Sequence, residues 1–411
     1  MPEIKPFRAL MYNTDKVGDL IKVLAPPYDV ISPQEQDEYY SLSPYNIVHL
    51  DLGKTDPLDT DRNNQYTRAR KFLTEWLKEK VFIEDRTPSI YIYEQEYENI
   101  KRAGFVALLR LEEPGHGVFP HEETYLQHRL DRLNILRYCR ANFSPIFFLY
   151  SPSSRDINEV IRNTKRERTT VSFKFQGVIN RLWRVCDSSS IQVFIREMKN
   201  RQVFIADGHH RYEVSLKFSK EEKNAGYIMG MFVSMEEKGL RILPTHRLIK
   251  TDFRFDTPEF FTILERYFYV RKFSSLQDMF SHFHTRLLGF GMYFGKDTYY
   301  LLSVRNIKKI EHGFEANLPP CWRRLNMVIL HHFFFHQILK VGEVPEKNIK
   351  YVTDELEAKK LVDLGVYNAA FFLNSIKPEV VRDIALSGER MPHKATYFYP
   401  KPLSGLLIYK F

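Results

Sequence analysis

The sequence predicts a mixed α/β (α+β) fold, because short apolar runs typical of buried strands alternate with segments of helical periodicity. The 411 residues are 44% hydrophobic and 14% aromatic, which is the composition of a folded chain rather than a disordered one. A chain of this length can form two or three domains. The sequence changes character near residue 250, so we expect a first region over 1–250 and a second mixed α/β region over 251–411.

The predicted elements follow from helix caps, turn signals and β-rich runs. Ser32 to Glu35 has the pattern of a capped helix start, and Gly295 to Asp297 has the pattern of a hairpin turn. Strands are expected over 89–97, 104–111, 143–150, 182–185 and 203–206, helices over 62–80, 126–141, 253–268 and 325–341, and a hairpin between 227–233 and 240–243.

Charge and cysteine content limit the classes of function. Sixty Lys and Arg against 51 Asp and Glu give a net charge of +9, but the excess is spread along the chain and suits a solvated surface. The three cysteines are far apart and form no C-x-x-C pair, so neither a disulfide framework nor a structural zinc site is expected. No signal peptide and no apolar run of membrane-spanning length is visible. We therefore expect a cytoplasmic protein without a membrane partner.

Several common catalytic motifs are missing from the sequence. It contains no G-x-x-x-x-G-K-[ST], no G-x-G-x-x-G and no G-x-S-x-G. Walker-type nucleotide binding, a Rossmann cofactor site and a serine hydrolase elbow are therefore not supported.

The most informative segment is Asp-Gly-His-His-Arg at 207–211. Four apolar residues at 203–206 predict a buried strand, Asp207-Gly208 predicts a sharp turn, and His209 stands where a helix would begin. A strand, a tight turn and a helix N-terminus with cationic side chains are a common way to hold an anion such as phosphate. The alternative is a capped helix with ordinary surface histidines.

Each residue type in this segment suits that chemistry. Gly208 allows the backbone to approach a ligand closely, and Asp207 can cap the helix or hold a divalent cation. Arg211 offers a planar fork of donors to phosphate or carboxylate. His209 or His210 can donate to the same anion or carry a proton.

Three other groups are candidates for the same pocket. Glu122, in the segment His-Glu-Glu-Thr at 121–124, can act as a general base, or the segment can simply cap the following helix. Arg129 would lie on a cationic helix face with Arg132 and Arg140, or these charges are solvated. His246 and Arg247 follow a predicted strand and can add another cationic pair. Residues 391–401 are also dense in aromatic and cationic groups, an arrangement that can be purely structural.

At these residues the chain resembles the bacterial and archaeal family catalogued as domain of unknown function 1015. The resemblance is collinear and covers nearly the whole chain. Its motifs here are Ile4–Ala9, Ala25–Ser32, Ser43–Asn46, His121–Thr124, Ala141–Phe147, Ala206–Tyr212, Leu243–Arg247 and Met391–Lys401. The Asp-Gly-x-His-Arg turn is also similar to that of the ParB/sulfiredoxin-like nucleotide-binding superfamily, which includes kinases that phosphorylate free L-serine with ATP or ADP.

This second resemblance implies a ParB/sulfiredoxin-like nucleotide-binding core in the first region. It also implies a phosphotransferase that acts on a small hydroxylated metabolite, with free L-serine as the first candidate. It implies ATP or ADP and Mg²⁺ as cofactors. Arg211 and His210 would hold the phosphate, Asp207 would bind Mg²⁺ or orient the nucleophile, and Glu122 would take the hydroxyl proton. Gly208, His209, Arg129, His246 and Arg247 are the expected cofactor-binding residues.

Two alternatives stay open from the sequence. The same site can hydrolyse a phosphoester such as phosphoserine, or it can bind a nucleotide or nucleic acid without catalysis. We do not expect a nucleic-acid partner, because no basic tail or helix-turn-helix signature is evident.

Overall fold

The protein was analysed as a computed structural model that describes residues 2–122, 126–152, 154–283, 288–314, 318–340, 348–392 and 394–411. Contacts divide the described residues into two compact units. The first takes its residues from Met1–Pro120, Thr124–Arg241 and Pro400–Phe411, and the second from His121–Glu123 and Ile242–Tyr399. The chain therefore returns to the first unit at its C-terminal end, which a single boundary near residue 250 does not anticipate. That predicted domain boundary stays a prediction.

Short strands and helices alternate along both units. The strands are β1 Ile4–Lys5, β2 Leu10–Tyr12, β3 Phe82–Glu84, β4 Ile90–Tyr97, β5 Ile100–Arg110, β6 Val118–Phe119, β7 Ala141–Asn142, β8 Ile146–Tyr150, β9 Val171–Phe175, β10 Val178–Val185, β11 Val203–Asp207, β12 Tyr227–Ser234, β13 Arg241–Leu243, β14 His246–Ile249, β15 Phe268–Phe273, β16 Gly289–Tyr293, β17 Tyr299–Val304, β18 Ile349–Val352, β19 Ala369–Phe372, β20 Tyr397–Tyr399 and β21 Tyr409–Lys410. The helices are α1 Thr14–Val17, α2 Pro33–Leu42, α3 Val48–Asp51, α4 Gln65–Lys78, α5 Leu126–Cys139, α6 Asp156–Thr164, α7 Ser188–Met198, α8 His209–Glu221, α9 Pro258–Tyr267, α10 Leu276–His282, α11 Ile307–Glu311, α12 Pro320–Arg323, α13 Asn326–Val328, α14 Glu355–Asp363 and α15 Pro378–Leu386. Three short 3₁₀ turns, at Leu20–Lys22, Tyr28–Val30 and Lys223–Ala225, and the π-helical segment Ile329–Ile338 complete the described elements.

The first unit is built on a mixed sheet of nine strands among the residues described, in the order β6-β11-β8-β12-β5-β4-β10-β9, with β1 paired to β5. β12 lies between β5, to which it is antiparallel, and β8, to which it is parallel. Phe105, Phe232 and Phe148 stack across these three strands, with ring centroids 5.0 and 5.2 Å apart. Side chains of β8 and β11 belong to the same apolar core, and the polar segment at 207–211 begins at the last residue of β11.

The second unit contains a six-stranded antiparallel sheet in the order β15-β17-β16-β19-β14-β18 among its described residues. Its core is rich in aromatic side chains, and Phe290, Phe334 and Phe371 contact one another edge to face. β14, which carries His246 and Arg247, lies between β19 and β18 in this sheet.

The mixed α/β class is confirmed, and so are most of the predicted elements. Ser32 and Glu35 form a complete capping box at the start of α2. β16 and β17 pair antiparallel around Gly295–Asp297, as the hairpin signal predicts. No helix in the described part of the chain has both the length and the apolar character needed to cross a bilayer.

The predicted hairpin between residues 227–233 and 240–243 is wrong. β13 pairs with β20, because β5 and β8 already occupy both edges of β12. The predicted cationic face of α5 is also wrong in part. The helix ends at Cys139, and Arg140 follows it with a φ of 50°, so Arg140 does not continue the face of Arg129 and Arg132.

Candidate functional site

The turn between β11 and α8 has the geometry that the sequence predicts. β11 pairs with β8, with a register shift between Ile205 and Asp207, and α8 begins at His209. Gly208 has a φ of +96°, which disfavours any residue with a side chain. A Cβ at this position would lie 2.8 Å from Cδ1 of Ile146 and 3.0 Å from Nη2 of Arg211. Glycine is therefore needed here both for the backbone conformation and for the close approach of Arg211.

The carboxylate of Asp207 lies between two cations. Oδ2 accepts a hydrogen bond of 2.9 Å from Nη2 of Arg211, and Oδ1 forms a short ion pair with Nζ of Lys401. The side chains of Asp207, Arg211 and Lys401 are 11%, 11% and 9% exposed. One negative and two positive charges leave this group net positive at the N-terminal end of a 13-residue helix. The helix dipole and the first-turn N–H groups favour an anion at the same place.

Lys401 is held by contacts to the carbonyl groups of its own segment. Gln95 donates to the Lys401 carbonyl over 3.1 Å, and Arg102 donates to the carbonyl of Pro400. Gln95 also donates to Oδ1 of Asn180, so the backbone at 400–401 is tied to strands β4, β5 and β10. The return of the chain to the first unit at its C-terminal end thus places Lys401 beside Asp207.

Arg211 is also fixed on its other side. Nη1 donates to Oγ of Ser144 over 2.7 Å and to the carbonyl of Pro145 over 2.9 Å. Together with the bond to Asp207, these contacts use three of the five N–H donors of the guanidinium group. The remaining N–H groups belong to a donor fork of fixed orientation, which is what recognition of a planar or tetrahedral oxyanion requires.

A small cavity of about 30 Å³ adjoins Arg211 and reaches a buried ion pair. It has room for roughly two water molecules, and Ser144, Arg211, Asp51 and Arg132 are among its lining residues. Arg132 donates to the carboxylate and to the carbonyl of Asp51, each over 2.7 Å, and lies 3.9 Å from the ring centroid of Tyr28. Tyr28 in the Pro-Pro-Tyr-Asp motif therefore supports a buried cation next to the site.

The two histidines of the turn open helix α8. His209 is buried and His210 is half-buried. The structure therefore places His210, together with Asp207 and Arg211, at one end of a single helix, as the sequence predicts.

Arg129 is bound to a carboxylate. Its Nη1 donates to Oε2 of Glu213 over 3.4 Å, linking α5 to α8. Arg132 and Arg140 are likewise paired with acidic groups, at Asp51 and Glu222. The structure therefore gives these arginines local partners, and the cofactor-binding role of Arg129 stays a prediction.

Glu122, His246 and Arg247 belong to the second unit. Oε1 of Glu122 accepts from the backbone N–H of Thr396 over 3.3 Å and from its hydroxyl over 3.4 Å. His121 also contacts the Thr396 hydroxyl at 3.0 Å. His121 and Glu122 are thus joined to Thr396 within this unit, whereas Glu123 and Thr124 lie outside the described residues.

Arg247 is a fully buried cation in the second unit. Its guanidinium donates to Nε2 of His331 over 3.3 Å and to the carbonyl groups of Lys394 and Thr245. Burial lowers the pKa of Arg247 to about 10 and, with the nearby Arg247 charge, lowers the pKa of His331.

His246 is buried beside Arg247. Its Nδ1 accepts a hydrogen bond of 3.2 Å from the backbone N–H of Leu373. Burial, followed by repulsion from Arg247, lowers the pKa of His246 to about 4. His246 is therefore neutral at physiological pH, with its proton on Nε2.

Sequence reasoning missed three groups that the structure brings to these residues. Lys401 stands at the end of the cationic 391–401 segment, which was a usable signal, whereas Ser144 and His331 carried no signal of their own. Among the residues described, no cluster of three or more His, Cys, Asp or Glu side chains is placed to hold a metal ion. Both oxygens of Asp207 are engaged by cations, so this carboxylate does not fit a metal ligand in the present arrangement.

Comparison with known proteins gives one family match. A family model described as "Protein of unknown function (DUF1015)" matches residues 4–328. No curated protein matches the chain.

Several solved structures are similar at low identity. A free serine kinase in complex with AMP is 11% identical with a TM-score of 0.38, over 72% of this chain and 93% of that one. A conserved hypothetical protein from Pyrococcus furiosus is 12% identical with a TM-score of 0.34, over 70% and 90%. A C-terminally truncated SbnI from Staphylococcus aureus is 10% identical with a TM-score of 0.36, over 74% and 86%. Likenesses this weak assign no chemistry to this chain.

Proposed function

Because this chain belongs to the family described as "Protein of unknown function (DUF1015)", whose description names no activity, we propose its function from its own residues. It is a phosphotransferase that acts on a small hydroxylated metabolite, with free L-serine as the first candidate acceptor and ATP or ADP as donor. The observation that carries the proposal is the position of Asp207 between Lys401 and Arg211 at the N-terminus of α8.

Phosphoryl transfer depends mainly on positioning and on neutralising the charge of the transferred group. The nucleotide would supply the phosphoryl group. Arg211 and the first-turn N–H groups of α8 bind its oxygens, and Lys401 adds the second positive charge. Asp207 does not contact the phosphate itself, because its two carboxylate oxygens orient Arg211 and Lys401. Gly208 lets the phosphate approach the backbone, and His210 is positioned at the same helix end to donate to it.

Mg²⁺ has no ligand set in this proposal, because the one carboxylate at the turn is already neutralised. Lys401 and Arg211 instead provide the positive charge that a divalent cation would bring. The role of Glu122 as base for the acceptor hydroxyl stays a prediction from the sequence.

The test is a product assay on the full-length protein. L-serine and a panel of other hydroxylated metabolites are incubated with ATP or with ADP, with Mg²⁺ or with EDTA, and phosphorylated products are measured by mass spectrometry. We expect a phosphorylated product whose formation falls at least about a hundredfold in Arg211→Gln, because a fixed donor to the transferred group is lost. The absence of product from every acceptor would exclude the kinase function.

A matched control and an alternative outcome complete the design. Arg196→Gln makes the same substitution at an exposed arginine paired with Asp156, and it should keep full activity. Release of inorganic phosphate from phosphoserine without any nucleotide would instead support a phosphoester hydrolase.

A further inference from the structure

A second cationic pocket lies in the first unit, away from the residues of the turn. Its volume is about 510 Å³, and its walls come from helix α4, the C-terminal end of α5 and strand β21. Among the residues described, four cations line it, namely Arg70, Arg137, Arg140 and Lys410, and no carboxylate does. None of these four residues takes part in the proposed phosphotransfer site.

Two of the cations are fixed by ion pairs to the C-terminal end of α8. Arg137 makes a bidentate contact with Glu221 at 2.9–3.1 Å, and Arg140 contacts Glu222 at 2.7 Å. These ion pairs hold the two guanidinium groups at the pocket wall, and the two carboxylates balance their positive charges. Arg137 also lies in the last turn of α5, where a cation complements the helix dipole.

The other two cations have no such explanation. Arg70 lies in the middle of α4 and Lys410 in a strand, so neither serves a helix end. No ion pair engages either side chain among the residues that the structure describes. Burial raises the pKa of the neighbouring Cys139 thiol to about 12, so this group adds no negative charge near neutral pH. Arg70 and Lys410 are both exposed, so the pocket presents two solvated positive charges that no ion pair engages among the described residues.

The rest of the wall is mixed. It is formed by Leu73, Leu77 and Tyr138, which offer apolar or aromatic surface, and by Thr74 and Cys139. A volume of about 510 Å³ is within the range of small-molecule sites, roughly 300–1,000 Å³, and is larger than a single phosphate ion requires. The shape and lining suit an anion that also carries an apolar or aromatic part.

We propose that this pocket binds the phosphate group of a small phosphomonoester. A phosphomonoester carries about −1.5 to −2 charges at neutral pH, which matches the two cations that no ion pair engages among the described residues. Arg70 and Lys410 hold the phosphate, and the organic part packs on Leu73, Leu77 and Tyr138. Free inorganic phosphate offers the same oxygens to Arg70 and Lys410. The affinities of the protein for inorganic phosphate and for a phosphomonoester distinguish these two ligands.

The test is calorimetric titration of the full-length protein with inorganic phosphate and, separately, with phenyl phosphate. We expect phenyl phosphate to bind about tenfold more tightly, because its ring buries apolar surface. Arg70→Glu should weaken binding of both probes at least about tenfold, and Lys410→Gln should do so to a smaller extent. Equal affinities for the two probes, both lost in Arg70→Glu, would support the site with free phosphate as its ligand.

The controls separate this site from the proposed phosphotransfer site. Lys78→Glu makes the same change of charge on the same helix at an exposed residue that does not line the pocket, and should leave binding unchanged. Arg211→Gln, which removes a proposed phosphate contact at the β11–α8 turn, should still show the binding that depends on Arg70. If Arg70→Glu and Lys410→Gln bind both probes like the wild type, or if the wild type binds neither, the inference is overturned. A protein that binds phenyl phosphate through Arg70 but forms no phosphorylated product would refute only the proposed function.

Discussion

Lys401 forms an ion pair with Asp207, which lies 194 residues earlier in the chain. The same carboxylate holds Arg211, so a residue ten positions before the last of the 411 residues helps to set the geometry of the β11–α8 turn. The anion binding proposed for this turn thus depends on the return of Pro400–Phe411 to the first unit. This relationship gives the first prediction.

Lys401→Gln should lower the free energy of unfolding by about 1–3 kcal/mol, because one partner of a nearly buried ion pair is lost while Asp207 keeps Arg211. Urea unfolding monitored by circular dichroism measures the change. The matched control is Lys220→Gln, since Lys220 pairs with Glu113 at 2.6 Å but is 66% exposed. An exposed pair contributes about 0–1 kcal/mol, so equal losses in the two variants would contradict a buried role for Lys401.

Gly208→Ala tests the need for glycine at the turn. The positive φ and the close contact with Ile146 should together lower the free energy of unfolding by about 2–4 kcal/mol. Gly177→Ala is the control, because Gly177 has a φ of +83° but open space around its Cβ position. It should lose only about 1 kcal/mol, from the backbone conformation alone. If both variants are destabilised equally, the close approach to Ile146 and Arg211 has no energetic weight.

Only part of this site was predictable from the sequence. The strand, turn and helix start at 203–211 are local signals, and the structure reproduces them. The partners of Asp207 and Arg211 come from β8 and from residue 401, and such long-range contacts depend on strand order, which no local pattern encodes. The wrong hairpin at 227–243 has the same origin, since β12 takes both of its neighbours from distant parts of the chain.

Arg132→Met should be among the most destabilising single substitutions in the first unit. Arg132 and Asp51 are 5% and 8% exposed, and removing the cation leaves a buried carboxylate whose remaining contact to Oδ2 is the Ser404 hydroxyl at 3.2 Å. The expected loss is about 3–5 kcal/mol, measured by chemical unfolding. Arg196→Met removes an exposed partner of Asp156 and should cost about 1 kcal/mol or less. A loss below 1 kcal/mol in Arg132→Met would show that the buried pair is not needed for stability.

His246 should make the protein less stable in mild acid. Burial and Arg247 lower its pKa from 6.5 to about 4, and a proton on Nδ1 would displace the hydrogen bond from Leu373. Between pH 6.5 and 4 the side chain of His246 is protonated in the unfolded chain but neutral in the folded chain. The free energy of unfolding therefore falls as the pH falls through this window. The full effect approaches about 3 kcal/mol near pH 4.

His246→Gln removes this titration. The free energy of unfolding, measured in urea from pH 7 to pH 4.5, should fall less steeply in the variant than in the wild type. His312→Gln replaces an exposed histidine of the same unit and should keep the wild-type slope. Identical slopes in all three proteins would mean that His246 accepts its proton in the folded state as readily as in the unfolded one.

Glu122→Gln tests the base that the sequence predicts. An amide keeps the size of the side chain and its carbonyl oxygen can still accept from Thr396, at 3.3 Å to the backbone N–H, so stability should change by less than about 1 kcal/mol. Loss of a general base should lower the rate of product formation about 10²- to 10⁴-fold, without a comparable change in the KM for the nucleotide. Thr396→Val is the positioning control, since it removes the hydroxyl contacts to Glu122 at 3.4 Å and to His121 at 3.0 Å but keeps the backbone N–H that Glu122 accepts, and it should lower the rate by a smaller factor. If Glu122→Gln retains the wild-type rate while Arg211→Gln does not, the phosphate-binding role of the turn stands and the base lies elsewhere in the chain.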